Sequence, residues 1–296
     1  MMRILGTIFA GLLGLAFGSF LNVCLSRWPR GESIVLPRSH CLHCGRTLTW
    51  WENLPLLTWL ALRGRCRTCR AWIGWRYPLV EFAVGALWAI AVWQFSDYDL
   101  ELPPVAIYIG LISVLGKMLL CWLLVALAVL DHENLWLPDW ITLPGTLIGF
   151  LFALSGTGLE SLLPTPYAIQ TTLRAVGWTA LHDILAILAA AGLILLIRWV
   201  YWLIRHREGI GLGDAKLMAL LAAWLGLPQT LLAFVLGVVL GAAVAVVLLL
   251  ISSAHKDSES WALSKLPLGT FLCVGGLISS LWGGPILAIY MRWSGF

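Results

Sequence analysis

Charge is what this chain has least of. Only 11% of its 296 residues are Asp, Glu, Lys or Arg, against 60% hydrophobic residues and a mean hydropathy of +0.89. A soluble domain uses about 25% charged residues, so that class is excluded and a polytopic membrane protein is implied. Other absences narrow the field. No small-x-small cleavage site follows the first apolar run, so it reads as a retained helix rather than a signal peptide. No internal repeat is visible, which counts against a transporter built from duplicated halves. No aromatic-interleaved binding fold accompanies the basic residues, so nucleic acid is a poor partner. No Rossmann-like glycine loop announces a cofactor.

What is present is a series of apolar runs. A spanning helix needs roughly 20 mostly apolar residues, and by that measure there are about eight. They fall near residues 4–25, 78–95, 106–130, 139–154, 182–204, 213–227, 230–252 and 267–290. The 155–181 segment reads as lying outside the membrane. The expected fold is an all-α polytopic membrane protein with a small cytoplasmic domain inserted after the first helix. Its divisions are a first helix at 1–25, the inserted domain at 26–77, a second helix with an external turn at 78–104, and a membrane domain at 105–296.

The insert is where positive charge collects. Residues 26–77 hold nine arginines against two acids, Glu32 and Glu52, a balance of +7 in a chain whose total is +4. Basic short loops stay on the cytoplasmic side, and most of these arginines serve orientation and attraction to anionic lipid. Alternation then puts the amino terminus outside. Asp131 and the 205–213 turn, with Arg205 and Arg207, come to the arginine-rich side. The 253–266 loop, with Lys256 and Lys265 against Asp257 and Glu259, is neutral and orients nothing.

Cysteine in the same insert is paired. "CLHC" supplies Cys41 and Cys44, "CRTC" supplies Cys66 and Cys69, and 21 residues separate the pairs. Two C-x-x-C knuckles read as a structural zinc site, with His40 and His43 as spare ligands. Disulfides are the rival, opposed by the reducing compartment that the charge rule implies. Cys24, Cys121 and Cys273 lie in apolar runs and read as packing residues.

Acids beside membrane spans are costly and tend to be functional. "LDHENLWLPDW" brings Asp131, Glu133 and Asp139 to the end of one span, and "GIGLGDAKLMA" brings Asp214 to the start of another. Both ends face the same side, so Asp131 and Asp214 could meet. Two close carboxylates share a proton and can run aspartic proteolysis. Gly211 and Gly213 would let a peptide strand approach. A Gly-Asp alone also reads as a turn with a helix cap. Lys216 reads as an interfacial anchor, and Lys117, deep in the third span, as a residue that snorkels or pairs with an acid.

Together these residues resemble the type IV prepilin peptidase family, membrane aspartic proteases of the GxGD type. The likeness runs through "GSFLNVCLSRWPRGESIVLPRSHCLHCG", "NLPLLTWLALRGRCRTC", "WRYPLVEFAVGALW", "DHENLWLPDWITLP", "REGIGLGDAKLMALLAAWLG" and "LPLGTFLCVGG". It implies that Asp131 and Asp214 are the catalytic pair, supported by Asp139, Gly211, Gly213 and Lys216. It implies cleavage of prepilins or pseudopilins after a leader glycine, at the cytoplasmic face of a bacterial inner membrane, in pilus assembly or type II secretion. The substrate would carry a short basic leader followed by an apolar helix that usually starts with phenylalanine. It implies a second activity, methylation of the new amino terminus from S-adenosylmethionine, with Glu81 and Gly85 as candidate binding residues. "GLGDAK" carries leucine and alanine where the family often has aromatics, and 155–181 has no counterpart. The competing classes are a non-enzymatic assembly scaffold, which would not need both aspartates, and a transporter.

Overall fold

The computed structural model describes residues 2–95, 104–160, 168–206, 211–253 and 266–295. The expectations for Gly209, for Arg207, and for the charges of the 253–266 loop lie outside the described residues. The helices are α1 (Met2–Arg27), α2 (Leu57–Ala61), α3 (Arg76–Phe95), α4 (Pro104–Asn134), α5 (Asp139–Glu160), α6 (Ala168–Arg205), α7 (Leu212–Ser253) and α8 (Leu268–Ser294). Six helices among the described residues are long and apolar enough to cross a membrane, and Asp139–Ser155 is a shorter apolar helix. The chain is a multi-pass membrane protein.

Two compact units divide the chain. The first holds residues up to Leu102 together with Lys117–Ala126, and the second holds Pro103–Gly116 and Leu127 onwards. In the first unit α1 and α3 run antiparallel at backbone contact. Lipid gives apolar side chains little reason to leave it, so such helices associate through close packing of small residues. A Cβ on Gly14 would lie 2.9 Å from the Gly85 Cα, and one on Gly18 would lie 2.7 Å from the Glu81 Cα. Trp88 caps this pair from the side. Its indole N–H donates to the Met118 carbonyl at 2.8 Å, and its ring meets Phe17 at 5.0 Å.

In the second unit α5 and α7 are joined through Trp224. Its ring fills the space left by the missing Cβ of Gly149 and stacks on Phe152 at 5.3 Å, and its N–H donates to the Gly145 carbonyl at 2.9 Å. The α7–α8 contact is again backbone-close, with Gly237 against Phe271 and Leu272, and Gly275 against the Ala233 carbonyl. Ser279 seals it by donating to the Gln229 carbonyl at 2.7 Å.

Two boundaries differ from the sequence reading. The α6 helix starts at Ala168, well ahead of 182, so much of 155–181 is helical. Its opening "AIQTTLRAVGWTALHDIL" has an ordinary helix propensity and no proline, so nothing local stops the helix there. Runs 213–227 and 230–252 are continuous as α7 apart from a break at Gly226 (φ 71°, ψ 170°), two residues before Pro228. At 1.5 Å per residue an unbroken helix of this length would reach about 63 Å, twice a hydrocarbon core of about 30 Å. The break falls one residue before the end of the first expected span. The Thr230 hydroxyl donates to the Gly226 carbonyl at 2.8 Å, one turn back along the second leg.

Only glycine adopts the Gly226 backbone without strain. Gly226→Ala is expected to destabilise the protein by about 1–3 kcal/mol, read from unfolding in detergent. Gly284→Ala, with nothing within 4 Å of the new Cβ, is the control, expected to be neutral or stabilising by up to about 1 kcal/mol. Equal behaviour of the two variants would contradict the account of the break.

Candidate active site and metal centre

The acids of the second unit are placed by helix ends. Asp131 occupies the last turn of α4 and Asp214 the first turn of α7, and both are buried. A helix start leaves backbone N–H groups without intrahelical partners, and an anion there is favoured. Asp131 uses the start of α8. Its Oδ2 accepts the Thr270 N–H at 2.6 Å and the Thr270 hydroxyl at 3.1 Å. Gly269 makes the approach possible, since a Cβ there would lie 2.8 Å from the same oxygen. Asp214 accepts the N–H of Gly211, so the third residue of α7 reaches back to the residue before the helix, one half of a capping box. The cap reading of Gly-Asp thus describes a real contact.

The two carboxylates are close enough for their charges to interact, and both act on Cys273, which is wholly buried. Leu137 lies between their supports, touching the positions where Gly213 and Gly269 lack a Cβ at 3.1 and 3.0 Å. Asp139, in the first turn of α5, forms an ion pair with Lys216 at 2.5 Å. Both side chains are substantially exposed, so this pair holds α5 to α7 with at most about 1 kcal/mol. Glu133 is exposed. Thr270, Gly269 and Leu137 were not singled out in the sequence. The signal was there in "LPLGT", a proline and small residues at a helix start.

The cysteine block of the first unit repeats one local design. Cys41 donates its N–H to the Arg46 carbonyl and accepts that of Gly45, and Cys66 does the same with Ala71 and Arg70. Each knuckle closes with an isolated antiparallel bridge, His40 to Thr47 and Arg65 to Trp72. The turns bring the four sulfurs within 4.8 Å of one another, with Cys41 and Cys69 at 3.8 Å. Four sulfurs at a Zn–S distance of about 2.3 Å around a tetrahedral ion stand about 3.8 Å apart, so the arrangement fits a zinc ion. The cysteines are free thiols. The N–H groups of Cys69 and Thr68 pull the Cys66 thiol down to about 6, while burial and the neighbouring thiols push Cys69 up to about 11. The cluster does not include His40, whose Nδ1 faces the Arg38 carbonyl at 3.1 Å, or His43.

Glu52 braces the block from within. It accepts from Arg46 at 2.5 Å and from the Thr49 N–H and hydroxyl at 2.9 and 2.7 Å. Arg46 and these donors hold its carboxyl down to about 2. Thr49-x-x-Glu52 is a capping box readable in the sequence.

Glu81, near the start of α3, is buried and ties that helix to the cysteine block. Its Oε2 accepts the N–H of Leu56, a residue in the left-handed region, at 2.8 Å, and Ser19 bonds the same carboxylate. Glu81 lines a cavity of about 410 Å³ between the block and the ends of α1 and α3. Gly85 does not line it; it is a packing glycine against Leu15 and the Gly11 carbonyl. Lys117 is half-buried, with no ion pair among the described residues.

A multi-pass membrane protein with buried acids at helix ends and a four-cysteine insert defines the class, and comparison with known proteins gives the family. The Bacterial Peptidase A24 N-terminal domain matches residues 12–95, and the Type IV leader peptidase family matches residues 118–246. A Pseudomonas putida protein named prepilin leader peptidase/N-methyltransferase is 35% identical, covering 97% of this chain and 94% of its own length. Proteins of the same name from Burkholderia pseudomallei (strain 1026b) and Aeromonas hydrophila are 36% and 35% identical. They cover 94% and 95% of this chain, and 85% and 92% of their own lengths. No solved structure matches. The chain belongs to the type IV leader peptidase family.

The sulfur geometry makes a direct forecast. Purified protein is expected to carry about one zinc per chain, measured by elemental analysis. The double variant Cys41→Ser, Cys69→Ser should carry almost none. Full zinc content in that variant would rule out this centre.

Proposed function

We propose that this chain is a prepilin leader peptidase working through Asp131 and Asp214, followed by N-methylation of the product. The observation that carries the peptidase reading is two buried carboxylates within reach of each other's charge, each anchored by a backbone N–H at a helix start. Asp131, whose Oδ2 already accepts two hydrogen bonds, is assigned the ionised role and takes a proton from the attacking water. Asp214, with fewer donors, carries the proton that polarises the scissile carbonyl. Neither role needs a metal or a covalent intermediate. Gly211, Gly213 and the Asp139–Lys216 pair support the start of α7. This assigns the peptidase to residues 105–296.

A substrate with a basic leader and an apolar stem suits acids at a membrane surface. The stem stays in lipid while the leader stays in water, and cleavage after the leader glycine falls between them. The positive-inside pattern assigns that surface to the cytoplasmic face of the inner membrane. Cys41, Cys44, Cys66 and Cys69 would hold a structural zinc ion that fixes the 26–77 block, a region with little apolar core of its own. The methyl donor, S-adenosylmethionine, is assigned to the cavity beside Glu81. Its volume falls within the roughly 300–1,000 Å³ of pockets for ligands of that size. Gly85 acts there through helix packing that sets the position of Glu81.

In proteoliposomes, Asp131→Asn and Asp214→Asn are each expected to slow prepilin cleavage by at least about 10²–10⁴-fold. Wild-type product should gain about 14 Da by intact mass, one methyl replacing one amine hydrogen. Cleavage at the wild-type rate in either folded variant would overturn the two-aspartate reading and return the scaffold reading.

A further inference from the structure

The cavity of the first unit has one wall built from a single face of α1, with Ser19, Asn22 and Ser26 in it, facing Tyr77 and Glu81 of α3. Asn22 is 2% exposed. Its Nδ2 donates to the Tyr77 carbonyl at 2.9 Å, which fixes the orientation of the amide, because only the NH₂ end can face a carbonyl. That leaves Oδ1 turned the other way with no hydrogen-bond donor. A buried acceptor without a partner costs about 1–3 kcal/mol, and Asn22 belongs to the cavity wall, so a donor carried in by a ligand would remove that cost. Glu81, an acid of the same cavity, keeps its Oε2 on the Leu56 N–H and is 8% exposed. One cavity, large enough for a ligand, is therefore lined by both a neutral acceptor and a carboxylate.

A primary amine has the complementary chemistry. It brings several N–H donors on one atom, and in its ammonium form a charge that a buried carboxylate balances. The geometry points to Asn22 and Glu81 as the site that receives the substrate's new amino terminus for methylation. This rests on the methylation reading above and adds to it the place and handling of the acceptor. An α-amino group has a pKa of about 7.7–8.0, so near neutrality the cut terminus arrives largely as ammonium, with no lone pair. Asn22 Oδ1 accepts one N–H and orients the nitrogen. Glu81 takes one proton at its carboxylate and frees the lone pair. When bound, the donor supplies a methyl group on a sulfonium sulfur, whose C–S bond breaks with its electron pair going to sulfur as the N–C bond forms. The product leaves as a methylated ammonium, and Glu81 returns its proton to water. Glu81 is thus a catalytic base, and Asn22 a residue that binds the amine.

The test uses the full-length protein in detergent with a pre-cut peptide beginning at phenylalanine. Its N-acetylated twin serves as the control. Wild type should bind the free-amine peptide roughly tenfold or more tightly than the acetylated one, the worth of a charge-assisted hydrogen bond. Equal binding overturns the proposal without any variant being made. Glu81→Gln should methylate about 10²–10⁴-fold more slowly at pH 7 and recover as pH rises past 8, where the amine sheds its own proton. Its affinity for S-adenosylmethionine, measured by equilibrium dialysis, should be unchanged, which also reports that the variant is folded. A parallel loss of donor affinity would mean that Glu81 holds the donor's own amino group, and a deficit that does not vary with pH would mean a structural role. Either overturns the assignment. Wild type that neither binds donor nor methylates removes the methylation reading itself. Wild type that methylates, matched by Glu81→Gln, removes only this inference.

Discussion

A carboxylate buried beside lipid is tolerable only if donors meet it, and this requirement organises the whole chain. Asp131 takes the Thr270 N–H, Asp214 the Gly211 N–H, Glu81 the Leu56 N–H and Glu52 the Thr49 N–H. In each case the donor is a backbone group left without a partner at a helix start or a turn. Where the carboxyl is ionised such a bond is charge-assisted and worth about 1.5–3 kcal/mol, and the alternative is a buried anion with nothing to offset its lost hydration. The carboxylates and the breaks in the helices therefore come as sets. Neither would be stable in place without the other.

Glycine supplies the second half of that arrangement. A carboxylate can reach the start of α8 because Gly269 has no side chain, and α1 can lie against the Glu81 backbone because Gly18 has none. The cysteine block adds a different kind of restraint. Among the described residues it is held by two bridges, two knuckles and one ion pair, so a zinc ion at its four sulfurs would supply much of its cohesion. Its contact with α3 through Glu81 means that the same block shapes the cavity above the membrane helices.

The fold was legible where chemistry and periodicity agreed. Apolar runs located the membrane helices, and C-x-x-C spacing located Cys41, Cys44, Cys66 and Cys69 before any coordinates. The aspartates stood out because charge is so rare here. What the sequence concealed were partners distant along the chain. Thr270 binds Asp131 across well over a hundred residues, and Asn22 meets Tyr77 only because two glycine-faced helices run antiparallel. Gly85 reads in the sequence both as a site candidate and as a packing glycine, and its neighbours Leu15 and the Gly11 carbonyl show the packing; spacing alone does not distinguish the two. The early start of α6 was hidden for the opposite reason. Its first turns are polar enough to look like a loop, while their helix propensity is ordinary.

The broken α7 has a consequence for the surrounding lipid. Its first leg, residues 212–225, is about 21 Å long, shorter than a hydrocarbon layer of about 30 Å. If Asp214 lies at the surface, as the proposed function requires, a leg of that length ends inside the layer. Mismatch of this kind is relieved by thinning the bilayer or by drawing the polar end inward, at a fraction of a kcal/mol per Å. Acyl-chain length thus becomes a variable that acts on the depth of Asp214, and the lipid composition of the host membrane is coupled to how readily water reaches it.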